Sequence, residues 1–133
     1  MPSPIPDDLY YSREHEWLRL DGGGAATIGI TSHAQDELGD IVYVELPADG
    51  DAFGPGDVMG SVESVKAVSE IYSPVAGTVT AANLVLEAAP ERINEEPYGG
   101  GWLVQMQLED EAAATDAMLS ARQYADYLAS SEG

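Results

Sequence analysis

The chain has 133 residues, 44% of them hydrophobic, and carries 24 acidic side chains against five basic ones, for a net charge of −19. That length suffices for one core without staples, so a single domain over residues 1–133 is expected. The charge argues against nucleic acid and anionic membranes as partners, since both need clustered Lys and Arg, and the absence of cysteine removes disulfides, thiol nucleophiles and Cys metal sites.

In chain order, "MPSPIPDDLY" has neither the basic region nor the apolar run of a signal peptide, and it is not an Arg-rich, acid-poor transit peptide. No apolar run approaches the roughly 20 residues that span a bilayer. The expected location is therefore cytoplasmic, bacterial rather than mature mitochondrial. "EHEWLRLDGGGAATIGI" predicts a hairpin: Trp17–Leu20 and Ala26–Ile30 flank Asp21-Gly22-Gly23-Gly24, where glycine supplies positive φ. "TSHAQDELGD" predicts a short helix, with Ser32 and Gln35 as a capping box and Gly39 as its stop. Ile41–Pro47 predicts a strand, ended by its proline.

The Gly- and Pro-rich "ADGDAFGPGD" predicts turns. Strands are predicted at Val58–Val65, Ala67–Tyr72, Gly77–Leu84 and Trp102–Leu108. "LEAAPERINEEPYGGG" between the last two predicts a long loop, exposed over Asn94–Gly101, with Tyr98 and Trp102 as anchors. From about residue 109 to 129 the chain turns Ala-rich, with Met118, Ala121, Ala125 and Leu128 at helical spacing. Ser120 and Gln123 form a second capping-box pattern, which splits this segment into two helices. Short strands with frequent turns and helices appended at the end predict a mainly β sandwich or barrel.

Lys66 is the one lysine in the chain. It falls in Ser64-Val65-Lys66-Ala67 between two predicted strands, at the tip of a hairpin whose composition suits a type I turn. An exposed lysine there is either a solvated charge or an amine presented for acylation by another enzyme. A Schiff-base role needs a depressed pKa; Glu63 and Glu70 flank the lysine and favour the charged amine instead. The acidic surface is likewise either plain solvation or steering toward basic partner surfaces.

"ESVKAVSEIYSPVAGTV" resembles a lipoyl-attachment hairpin, and with "YSREHEWLR", "IGITSHAQDELGDIVYVELP" and "INEEPYGGGWL" the chain resembles, over nearly its whole length, the H protein of the glycine cleavage system. Biotinyl domains usually bracket their lysine with methionines, whereas Val65 and Ala67 stand here. Acyl carriers bear a Ser in a helical bundle, and no Asp-Ser-Leu occurs. The Gly22–Gly24 run and the Ala-rich C-terminus are local departures from the family pattern.

The resemblance implies a flattened, sandwich- or barrel-like lipoyl (hybrid) domain with one short internal helix and C-terminal helices. It implies lipoate in amide linkage to Lys66, with Glu63, Ser64, Val65 and Ala67 read by a lipoate ligase or lipoyl transferase. The chain would be a monomeric carrier rather than an enzyme. It would take an aminomethyl group from the P protein (glycine decarboxylase), deliver it to the T protein (aminomethyltransferase), and be reoxidised by the L protein (dihydrolipoamide dehydrogenase). Glu14, Glu16 and Glu70, with His33, are the implied pocket for the amine cargo; each carboxylate is equally readable as an ordinary solvated group, and His33 reads more readily as a surface residue of a short helix. An H-like role in lipoate relay and a biotinyl carrier are the alternatives. Neither histidine has partners at metal-ligand spacing along the chain, so no metal site is expected.

Overall fold

A computed structural model describes residues 5–132; Met1–Pro4, part of the segment read above for a signal peptide, and Gly133 lie outside them. The strands are β1 (Tyr10–Tyr11), β2 (Glu16–Gly22), β3 (Ala25–Ile30), β4 (Ile41–Glu45), β5 (Ala52–Phe53), β6 (Val58–Ser64), β7 (Val68–Tyr72), β8 (Gly77–Ala82) and β9 (Val104–Leu108). The helices are α1 (Ser32–Leu38), α2 (Val85–Ala88), α3 (Arg92–Glu95), α4 (Glu111–Asp116) and α5 (Ala121–Glu132). Two antiparallel sheets form, one in the order β1-β2-β3-β9-β8-β5 and the other β4-β6-β7. Leu18, Ile28, Val79, Val104 and Met106 of the larger sheet pack against Val44, Met59, Val62 and Ile71 of the smaller, so the core is the space between the sheets. The expected β-sandwich with appended helices is what forms.

The β2–β3 hairpin turns through Gly22, Gly23 and Gly24, all at positive φ. Within it Trp17 lies opposite Gly29. A Cβ on Gly29 would stand 2.6 Å from the indole. Trp17 Nε1 donates to the carbonyls of Ile30 (3.0 Å) and Pro97 (2.9 Å), which ties the hairpin to the segment before Tyr98.

Several expectations need correction. The cap of α1 is Thr31, one residue before the predicted Ser32: its hydroxyl accepts from the Ala34 amide at 3.2 Å. Ser32 is buried and donates its amide to the Tyr98 hydroxyl, the amide that the predicted box would have given to Gln35. Gly39 stops the helix as predicted, at φ 82°. Residues 85–101 are not a plain loop. Two short helices there bury Leu86 and Ile93 completely, and Gly101, at the end of the segment expected on the surface, is buried too. A Cβ on Gly101 would stand 2.7 Å from the Arg92 carbonyl oxygen. The short strand β5 lies in the predicted turn region.

The split at Ser120 is observed in full: Ser120 donates its amide to Gln123 Oε1 (2.9 Å), and Gln123 donates its own to Ser120 Oγ (3.2 Å). The buried face of α5 differs from the predicted one. Tyr124 is fully buried, stacked on Tyr11 with ring centroids 4.7 Å apart, while Ala125 is exposed and Met118 lies in the connection before the helix. An aromatic residue one position away outweighs a small alanine because it removes several times more apolar area from water.

Candidate functional site

The lysine turn is built by its own side chains. Ser64 is buried; its hydroxyl accepts from the amides of Lys66 (3.3 Å) and Ala67 (3.1 Å), and its amide donates to the Ala67 carbonyl at 2.7 Å. This is the serine-turn chemistry that lets a short polar side chain stand in for a backbone partner. Val65 donates its amide to the Asp40 carbonyl (3.2 Å), fastening the tip to the segment after α1. The backbone is thus held, while the Lys66 side chain is exposed. Its stem passes the end of α1: a Cβ on Gly39 would make ordinary contact, 3.5 Å, with Lys66 Cε.

Around the lysine, Glu63 and Ala67 are exposed, as are Val65 and Val68, at 73% and 66%. Glu63 pairs with Tyr43 on one side and Val68 on the other, so the outer face of the small sheet beside the tip mixes exposed apolar groups with carboxylates.

The base of the tip is held by Asn94. It accepts from the Ile41 amide (2.9 Å) and donates to Gln35 Oε1 (3.0 Å) and the Gly39 carbonyl (2.8 Å), joining α3, the end of α1 and the start of β4.

Three of the four predicted pocket residues converge. Glu16 is 1% exposed. Ser12 donates its hydroxyl to Glu16 Oε1 at 2.5 Å, and the Tyr72 amide reaches Oε2 at 3.4 Å. Burial pushes the Glu16 carboxyl up to about 7, against the pull of those two bonds. Glu70 lies two residues before Tyr72 on β7, and the Tyr72 hydroxyl stands 3.5 Å from its Oε1. The charges of Glu70, Glu14 and Glu16 all raise the Tyr72 phenol, Glu70 most. Two exposed carboxylates and one buried one therefore share the neighbourhood of Tyr72.

His33 has contacts with Glu37 and His15. Its Nε2 lies 3.2 Å from Glu37 Oε1, and its ring faces that of His15 at 4.7 Å between centroids. The sequence-based reading missed Ser12, Tyr72 and Asn94. Ser12 and Tyr72 left a local signal, since each lies two or four residues from a predicted carboxylate; Asn94 left none.

A pair of antiparallel sheets displaying one exposed lysine on a tied hairpin turn defines the class: a fold of the biotinyl and lipoyl type. The family profile described as Glycine cleavage H-protein matches residues 9–131. The glycine cleavage system H protein of Rubrobacter xylanophilus is 52% identical over 96% of this chain and 98% of its own. That of Salinibacter ruber is 53% identical over 91% and 96%. The crystal structure of a glycine cleavage system H protein from Mycobacterium marinum superposes with a TM-score of 0.82, at 36% identity, over 92% of this chain and 97% of that one. The chain belongs to the glycine cleavage H-protein family.

Proposed function

We propose that the chain is the lipoyl-lysine carrier of a glycine cleavage system, bearing its arm on Lys66. It moves an aminomethyl group from the P protein to the T protein, is reoxidised by the L protein, and catalyses no step alone. The observation that carries this reading is the exposed Lys66 side chain on a backbone immobilised by Ser64 and Asp40. An acceptor amine must reach into another enzyme's active site, and a held backbone lowers the entropy lost on docking there.

The residues present fit an amide-linked arm. Acylation removes the Lys66 charge, and the arm supplies a cyclic disulfide, chemistry that a chain without cysteine lacks. Glu63, Ser64, Val65 and Ala67 surround the acceptor and are the residues a lipoate ligase or lipoyl transferase reads. Glu16, with Glu14 and Glu70, holds the ammonium of the cargo by charge-assisted hydrogen bonds, and an arriving cation draws the Glu16 carboxyl into its ionised form.

Neither the relatives nor the matching family supports the biotinyl or lipoate-relay alternatives. Among the described residues no helix is long and apolar enough to cross a membrane. The bacterial origin of the relatives supports a cytoplasmic carrier.

Intact-mass spectrometry of protein made with a lipoate ligase should show one lipoyl adduct, mapped to Lys66 and absent in Lys66→Arg. An unmodified chain, or an adduct that survives that substitution, overturns the assignment. For the pocket, methylamine-loaded Glu16→Gln protein should release its cargo faster than the wild type; an equal rate removes Glu16 from the role.

A further inference from the structure

His15, His33 and Glu37 form a second cluster, adjoining the carboxylates through His15, which lies between Glu14 and Glu16 in the chain, and the carrier role proposed above rests on none of the three. We propose that they form a site for a divalent first-row transition metal, of which Zn²⁺ is the representative ion. One ligand atom from each residue lies within 4.8 Å of the others. Two imidazoles and a carboxylate are the donor set such ions accept, leaving a fourth position for solvent.

Two parts of the chain supply the ligands, and each holds them for a local reason. His33 and Glu37 are four residues apart on α1, so both project from one face of the helix, with His33 Nε2 3.2 Å from Glu37 Oε1. His15 comes from the connection between β1 and β2. It is the one non-glycine residue at positive φ among the described residues, at 69°. That conformation is uncommon for a residue other than glycine, although His, like Asn and Asp, adopts it more readily than most, and it is held here at both ends. The His15 amide donates to the Ser12 carbonyl (3.2 Å), and its carbonyl accepts from the Thr31 amide (3.0 Å). The imposed turn brings the His15 ring to 4.7 Å from that of His33.

Behind the imidazole is the outer support that metal-bound histidines use. His15 Nδ1 is 2.8 Å from the Tyr124 hydroxyl, which is itself 2.8 Å from Thr31 Oγ1. When Nδ1 donates to Tyr124, the proton is on that nitrogen and Nε2 presents its lone pair. Zinc–nitrogen bonds of about 2.0 Å require ligand atoms roughly 3.3 Å apart. His33 Nε2 and Glu37 Oε1 already meet that spacing at 3.2 Å, so the contraction falls on the separations from His15, and the Glu37 side chain, 66% exposed, can move with it. A bound ion would join α1, the β1–β2 connection and, through Tyr124, α5.

The full chain has two histidines, so the test is simple to read. Zn²⁺ is titrated into ¹⁵N-labelled protein with the lipoyl arm absent or oxidised, in excess Mg²⁺ to occupy the surface carboxylates. One equivalent should shift the ring signals of both histidines together, saturating at 1:1. Calorimetry should show binding weakened at least tenfold in His33→Gln and in Glu37→Gln, and about tenfold in Tyr124→Phe, which keeps the ring but not the hydroxyl. His15→Asn tolerates the left-handed backbone, so its loss of binding with an unchanged backbone amide spectrum separates ligation from folding. Ring signals unmoved by one equivalent, or binding that persists in His33→Gln and His15→Asn, overturns the site and leaves these residues as a hydrogen-bonded cluster only.

Discussion

Replacing Glu16 by glutamine removes a titrating charge from a place that penalises it. Glu16 is 1% exposed, and burial raises its carboxyl from 4.5 to about 7. At about 1.36 kcal/mol per pKa unit, this is on the order of 3 kcal/mol. Between those two values the native state binds more protons than the unfolded chain, so stability falls as pH rises through the window. The penalty is absent below about 4.5 and complete above about 7. Glutamine does not titrate. It keeps an acceptor for the Ser12 hydroxyl and loses the weak bond from the Tyr72 amide, a constant cost of about 1 kcal/mol. Relative to wild type, Glu16→Gln should therefore gain up to ~3 kcal/mol between about pH 4.5 and pH 8. Urea unfolding of both proteins across that range, with a chelator present, measures the difference directly. Curves that stay parallel within ~0.5 kcal/mol would refute the burial argument and return Glu16 to the solvated carboxylates.

Gly29→Ala places a Cβ 2.6 Å from the Trp17 ring and should cost ~1–3 kcal/mol by overpacking, read as a thermal midpoint several degrees lower; an unchanged midpoint means that the indole gives way freely. Asn94→Ala strips partners from the Ile41 amide and the Gly39 carbonyl and should cost ~2–3 kcal/mol in urea unfolding, with a loss under ~1 kcal/mol showing that water replaces the side chain. Ser64→Ala removes the acceptor for the amides of Lys66 and Ala67. It should slow lipoate attachment severalfold while the far-ultraviolet spectrum is kept, and an unchanged initial rate by mass spectrometry means that the ligase does not need the turn preformed.

Much of the scaffold was legible because its signals are local. The glycine turn of β2–β3, the Gly39 stop, the Pro47 strand end and the Ser120–Gln123 box each depend on residues within four positions of one another. The misreadings arose where a distant partner decided the outcome. Thr31 rather than Ser32 caps α1, and the Ser32 amide that the predicted box would have given to Gln35 goes to the Tyr98 hydroxyl, 66 residues on. Residues 85–101 lack helical periodicity but wrap into α2 and α3 because Leu86 and Ile93 reach the core. His33 shows Glu37 at helical spacing in the sequence, yet His15, 18 residues earlier, joins them only through the turn at its own positive φ.

The sequence by itself determined that one lysine would stand on a hairpin tip in an acidic, cysteine-free β domain. Side-chain alternation and turn composition act over a few residues and survive without knowledge of the rest. The carboxylate group around Tyr72 needed the fold. Glu14 comes from the β1–β2 connection and Glu16 from the start of β2 in the larger sheet, Glu70 and Tyr72 come from β7 in the smaller, and they meet only because packing brings the two sheets together. The raised carboxyl of Glu16 is likewise a property of burial, which no residue carries until the core has closed around it.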